Sequence, residues 1–177
     1  MNNEEISKII LGTGNYENIR SGNTVSITGD GGNAWGYYGQ AYKKLAPKLV
    51  TYLPYAEKYA ELEKLKADLL NYKKYVEYRK QIENEYIKSF YDIRLKDLDV
   101  YELLKILKNK YGEGIILLCH EPIEEFCHRR LVADYIELLT GIYIPEISIN
   151  NGSVKKIMPI RYKNRLKKIM IEEGMIK

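Results

Sequence analysis

Cys119-His120 and Cys127-His128 hold every cysteine and histidine of this chain, two of each. Glu121 and the pair Arg129-Arg130 stand beside them. A thiol can become a nucleophile, an imidazole and a carboxylate can move protons, and guanidinium groups can clamp an anion. Together these are the parts needed to hydrolyse, or transfer a group on, a phosphate-bearing substrate. The pattern therefore nominates Cys127, His128, Glu121 and Cys119 for catalysis and Arg129 with Arg130 for anion binding. One residue further along the helix, Arg130 projects about 100° away from Arg129 and faces more toward solvent.

Two narrower chemistries fit less well. Structural zinc motifs separate paired ligands by two to four residues. Here each Cys-His pair is adjacent, and adjacent strand residues point to opposite faces, so neither a metal nor another cofactor is expected. A phosphatase-type cysteine needs a loop of backbone amides between nucleophile and arginine, whereas one residue separates Cys127 from Arg129. Two non-catalytic readings stay open: a nucleotide- or nucleic-acid-binding module, and a structural protein in which the cluster staples strand to helix.

The flanking residues say which elements must position the cluster. Ile115–Cys119 is apolar and β-prone, after a Gly112-Glu113-Gly114 turn. Leu131–Leu139 has helical spacing on its apolar positions and stops at Gly141, a C-cap. The cluster thus spans a strand end, a short loop and a helix start, the place where open α/β sheets bind ligands. A helix start also presents free N–H groups to an anion and lowers a cysteine pKa.

Upstream, Lys8–Leu11 reads as a strand followed by a turn at Gly12-Thr13-Gly14-Asn15. Thr24–Thr28 reads as a second strand, closed by Gly29-Asp30-Gly31-Gly32-Asn33. Gly12, Thr13 and Asp30 are candidates for a second wall of the pocket, although neither loop completes a dinucleotide or P-loop fingerprint. Trp35 is a candidate roof. Residues 55–91 predict one or two helices with a break near Asn71 or Asn84, and tyrosines such as Tyr72, Tyr75, Tyr78 and Tyr86 recur there at core-covering spacing. Asp99 caps a helix over Val100–Lys110 with Val100, Leu103, Leu104 and Leu107 inward. Tyr143–Ile149, interrupted by Pro145, reads as a late strand near a sheet edge. Alternating strands and helices predict an α/β fold with a mainly parallel sheet.

With 177 residues, 45% hydrophobic and 29% charged, the chain suits one well-buried domain. No apolar run approaches the roughly 20 residues of a membrane span. Residues 1–5 lack the features of a signal peptide, so a reducing cytoplasm is expected. The net charge of +4 is unevenly placed. Residues 151–177 hold eight Lys or Arg against Glu172 and Glu173. This basic segment is expected as a helical tail outside an α/β domain of residues 1–150. It could follow a nucleic-acid backbone, or be a solvated helix whose Ile160, Leu166, Ile169, Met170 and Met175 form one apolar face.

Three blocks carry a family resemblance. Leu117-Leu118-Cys119-His120-Glu121-Pro122 and Phe126-Cys127-His128-Arg129-Arg130-Leu131-Val132-Ala133 resemble the signature of the domain of unknown function 488 family. Trp35, with Tyr42-Lys43-Lys44-Leu45-Ala46-Pro47, resembles a second block of that family, and Tyr86–Tyr91 a third. His120 stands where the family more often has tyrosine. The resemblance implies an α/β domain with a shared polar site and supplies no activity.

Overall fold

The computed structural model describes residues 1–34, 36–66, 72–150 and 152–177. Trp35, the expected helix break at Asn71 and the expected domain boundary at Asn151 lie outside the described residues. Six strands form one sheet in the order β5-β2-β6-β1-β7-β8. They are β1 (Ile10–Asn15), β2 (Asn23–Ser26), β5 (Gln40–Ala41), β6 (Ile115–Cys119), β7 (Glu146–Asn150) and β8 (Ser153–Ile157). All pairings are parallel except β7 with β8. A two-residue ribbon of β3 (Asn33–Ala34) and β4 (Tyr37–Tyr38) stands apart. The helices are α1 (Asn3–Ile9), α2 (Leu49–Lys66), α3 (Tyr72–Phe90), α4 (Val100–Tyr111), α5 (His128–Thr140) and α6 (Lys163–Glu172). The expected α/β fold with a mainly parallel sheet is present.

β6 is buried along its whole length, and its alternation divides the core. Ile115 and Leu117 join the larger cluster, which holds Ile9, Phe90, Leu104, Leu131 and Leu166 from five helices. Ile116 and Leu118 face the other way, against Tyr16, Ile19 and Ile147. Cys119 shares the parity of Ile115 and Leu117, so its thiol turns to the helical side, where α5 begins. The connection leaving β1 heads for β2, while that leaving β6 heads for β7. Winding direction therefore reverses at this central pair, the kind of position where α/β sheets hold ligands.

Several local expectations change. Lys8 lies inside α1, not on a strand. Asn2 accepts from the Glu5 amide and the Glu5 carboxylate accepts from the Asn2 amide, a capping box that the apolar run Ile9–Leu11 obscured. Gly12-Thr13-Gly14-Asn15 is not a turn but the body of β1, paired with β6. A Cβ on Gly12 would sit 2.9 Å from the Pro145 carbonyl oxygen, so the glycine serves close strand approach. The helical stretch has no break at Asn84, which lies within α3. Tyr75 and Tyr86 are buried as expected, while Tyr72 is exposed.

Asp99 caps α4 by accepting from the Glu102 amide, and Gly141 closes α5 at φ 76°, both as the sequence implies. The late strand starts only after Pro145 and lies near the sheet edge as expected, one strand in from β8, which pairs along its outer side. The basic C-terminal segment is not helical throughout: Ser153–Ile157 is β8, and the helix begins at Lys163. Leu166 and Met170 of α6 are fully buried. Three cations of the segment pair with acids elsewhere in the fold: Arg161 with Asp134 and Glu137, Lys163 with Glu137, and Arg165 with Glu83. No helix among the described residues is long and apolar enough to cross a membrane.

Candidate functional site

Cys119 ends β6 and Cys127 is the N-cap of α5. Cysteine is not a favoured capping type, and Cys127 makes no capping bond. Its sulfur instead lies 2.9 Å from Glu121 Oε2, the same oxygen that accepts from the Cys119 thiol at 2.8 Å. His128 Nε2 lies 2.8 Å from the Ile27 carbonyl. A carbonyl only accepts, so Nε2 carries the proton. Cys119 Sγ lies beside the ring, 3.6 Å from Nδ1 and 3.9 Å from Nε2. One donor atom from each of Cys119, Glu121, Cys127 and His128 lies within 4.8 Å of the others.

His120 takes no part in this group. Past the strand end its side chain turns to the other side, where Nε2 meets Asp30 Oδ2 at 2.9 Å and the ring packs edge-on against Tyr16. The alternation rule therefore holds within the first Cys-His pair, but it does not prevent a cluster. One member of that pair, both members of the second, and Glu121 supply the donors.

The four groups line a cleft of about 1030 Å³. Thr28, Gly29 and Asp30 line it after β2, Pro47, Lys48, Leu49, Val50, Tyr52 and Tyr55 line it around the start of α2, and Tyr86 and Phe126 complete the lining. A second cleft of about 840 Å³, lined by Tyr16, Arg20 and Tyr37, shares His120 and Glu121 with the first. Burial, then the neighbouring Cys127, pushes the Glu121 carboxyl up to about 7. Burial likewise raises the Cys119 thiol. Burial also opposes ionisation of Cys127, but the Cys119 hydrogen bond and the Arg129 charge outweigh it and hold that thiol well below its usual range. For His128, burial disfavours the cation, and contact with Cys127 and Glu121 reverses the sign, so its pKa rises.

The two arginines do not face the cleft. Arg129 is 1% exposed and its Nε donates to Glu146 Oε1 at 3.0 Å. Its Nη atoms donate to the carbonyls of Glu121 and Pro122, at 2.7 and 3.3 Å, and so splint the loop that presents Glu121. Arg130 is not toward solvent but 3% exposed. It donates to Thr13 Oγ1 at 2.6 Å and to the Ile144 carbonyl. The Thr13 hydroxyl in turn donates to Glu146 Oε2 at 2.5 Å. Burial disfavours charge on both guanidiniums, yet Arg129 is shifted up by Cys127 and Glu146 while Arg130 is shifted down. Cys127 leads the influences that raise Arg129, with Glu146, Cys119 and Glu121 behind it, whereas Arg130 has Glu146 and Asp134 set against its burial and the nearby Arg161 charge.

Of the residues singled out in the sequence, Cys119, Glu121, Cys127, His128 and Asp30 share one cleft. Arg129, Arg130 and Thr13 form a buried network behind it, and Gly12 lies in the adjoining strand. Glu146 was not foreseen; its signal was a lone carboxylate in the apolar run Ile142–Ile149, in a chain with two arginines at a helix start. Tyr55 and Phe126, whose ring centroids are 5.3 Å apart, also escaped notice, since aromatic residues in apolar patterns read as core. No protein-family model, curated protein or solved structure matches this chain.

Proposed function

We propose that this protein is a metal-dependent hydrolytic enzyme in which Cys119, Cys127 and His128 bind a zinc-type ion and Glu121 handles the proton. The observation that carries this reading is the convergence of two thiols, an imidazole and a carboxylate within 4.8 Å on the wall of an open cleft. Two thiols and an imidazole are a donor set that selects zinc over magnesium or calcium. The Ile27 carbonyl orients the imidazole, as outer-shell acceptors commonly do for metal-binding histidines. Behind the thiols, two guanidiniums share the Glu146 carboxylate, and the surplus positive charge favours thiolates. When bound, zinc supplies Lewis acidity, polarising a carbonyl and making water nucleophilic near neutral pH.

Structural zinc sites are closed by four protein ligands, whereas here Glu121 opens on the cleft and is placed to take a proton from water and return it to a leaving group. That placement favours catalysis over a strand-to-helix staple. Of the function expected from sequence, hydrolysis is kept and the guanidinium clamp for phosphate has no counterpart, because both arginines are turned to Glu146 and backbone carbonyls. Cys119, Glu121, Cys127 and His128 are among the residues that carry the resemblance to the domain of unknown function 488 family, which implies a shared polar site and no particular activity.

A second reading has its own observation. The depressed Cys127 thiol beside a His128 of raised pKa describes a thiolate–imidazolium pair, a nucleophile that needs no metal. Elemental analysis separates the two. Protein refolded with zinc should hold about one ion per chain. Cys119→Ser and Cys127→Ser should lose it, and Glu121→Gln should keep it while losing hydrolysis of an activated ester such as 4-nitrophenyl acetate. Retention of that activity in metal-free protein, abolished by Cys127→Ser alone, would overturn the metal reading.

A further inference from the structure

The wall of the cleft formed by the start of α2 is unusual for a helix end at the surface. Leu49 is 70% exposed and Val50 64%, and Tyr52 and Leu53 are also exposed. The first turn has no acidic residue, although acids suit that end of a helix. Leu49, Val50 and Tyr52 belong to the same cleft as Cys119, Cys127 and His128. An apolar strip thus runs from solvent into the cleft that holds the thiols and imidazole. Deeper in, it continues into an aromatic wall of Tyr55, Tyr86 and Phe126, with ring centroids 5.1 to 5.3 Å apart.

Charge in the cleft is arranged against anions. Glu121 presents a carboxylate, Asp30 is paired with His120, Arg129 and Arg130 are turned away, and Lys48 at the exposed rim is the cationic lining residue besides the two histidines. Large exposed apolar patches next to a site mark recognition of apolar groups.

We infer that the substrate is an uncharged acyl compound, an ester or amide, whose hydrocarbon part lies along Leu49, Val50 and Tyr52 with its carbonyl at the Cys119–Cys127–His128 centre. This rests on the hydrolytic reading above. In the reaction, water adds to the acyl carbon, the bond from that carbon to the alcohol or amine breaks, and the proton lost by water reaches the leaving group through Glu121. The products are a carboxylic acid and an alcohol or amine, with no change of oxidation state.

Straight-chain hydroxamates mimic such a substrate and bind zinc through a common head group. On zinc-loaded protein, calorimetric titration with acetohydroxamate, hexanohydroxamate and octanohydroxamate should show affinity rising about threefold to fourfold per buried methylene. A Leu49→Ser/Val50→Ser variant should flatten that rise while leaving acetohydroxamate affinity, zinc content and thermal midpoint unchanged, since both side chains are exposed. Inorganic phosphate should not compete. The inference is overturned by a flat chain-length series, by phosphate competing at similar concentration, or by a variant that leaves the slope unchanged. Hexanamide and octanamide on metal-free protein separate the two claims. A chain-length rise without zinc binding defeats the metal centre and spares the apolar subsite, while zinc binding with a flat series does the reverse.

Discussion

Glu146→Gln is the perturbation that most directly tests how the site is held. Glu146 is fully buried and contacts both guanidiniums, Arg129 at 3.0 Å and Arg130 at 3.6 Å. Glutamine has almost the same shape, so no cavity forms and packing stays comparable. What disappears is the negative charge, and the new amide brings donors among Arg129, Arg130 and the Thr13 hydroxyl, which are donors already. Leaving one side of a buried ion pair uncompensated typically costs about 3–5 kcal/mol. For a domain of this size each kcal/mol shifts the melting midpoint by about 2–4 °C, so the variant should melt about 6–20 °C below the parent. Urea denaturation followed by far-ultraviolet circular dichroism gives the free energy, and zinc content measured well below the midpoint tests the site separately. Arg129→Met/Glu146→Met should recover only part of the loss, because Arg130 remains stranded beside Thr13. If Glu146→Gln costs under about 1 kcal/mol, the network is not a structural support and the arginines are free for another use. If stability is unchanged but phosphate or nucleotide binding is lost, the clamp expected from sequence is restored.

Gly12→Ala should destabilise by about 1–3 kcal/mol, as overpacking does, because its Cβ would meet the Pro145 oxygen at 2.9 Å and Ile147 at 3.1 Å; zinc content of the folded fraction should not change. Leu166→Ala should cost about 2–5 kcal/mol in the same urea assay, since Leu166 is fully buried, whereas a detachable tail would tolerate it. Glu173 has its carboxyl pKa lowered by hydrogen bonds from Lys96 and Lys88. Its folded pKa lies below the unfolded one, so the stabilisation is complete above the unfolded value of 4.5 and fades as pH falls through the folded one. Glu173→Gln should therefore flatten the decline of the melting midpoint in that acid window, and an unchanged profile would refute the assignment.

Local pattern was enough where one element's own residues decide the outcome. Asp99 before an amphipathic run, Gly141 after one, and the unbroken apolar stretch Ile115–Cys119 each contain their own physical reason, so α4, the end of α5 and the buried central strand are legible in the sequence. Residues 8–15 are not. The capping box at Asn2 and Glu5 competes with a β-prone run, and Gly12-Thr13-Gly14 looks like a turn until strands on both sides claim it. Pairing partners more than a hundred residues away decide that case, and no local window contains them.

The sequence by itself determined which chemistry is present: two thiols, two imidazoles, Glu121 and two guanidiniums at a strand-to-helix junction. It also determined the alternation that sends Cys119 and His120 to opposite sides, because strand geometry is set by the backbone alone. Only the tertiary structure decided which groups meet. Spacing along the chain argues against a metal site, since it counts adjacent pairs, while folding takes one donor from the first pair, both from the second and a carboxylate from the loop between. Glu146, distant in sequence, captures Arg129 and approaches Arg130, removing from the cleft the charges that suggested phosphate. Residues 49 to 55 supply an apolar wall whose proximity to Cys127 follows from packing in three dimensions. Electrostatic partners are chosen by distance through space and by burial, and neither quantity exists until the chain has folded.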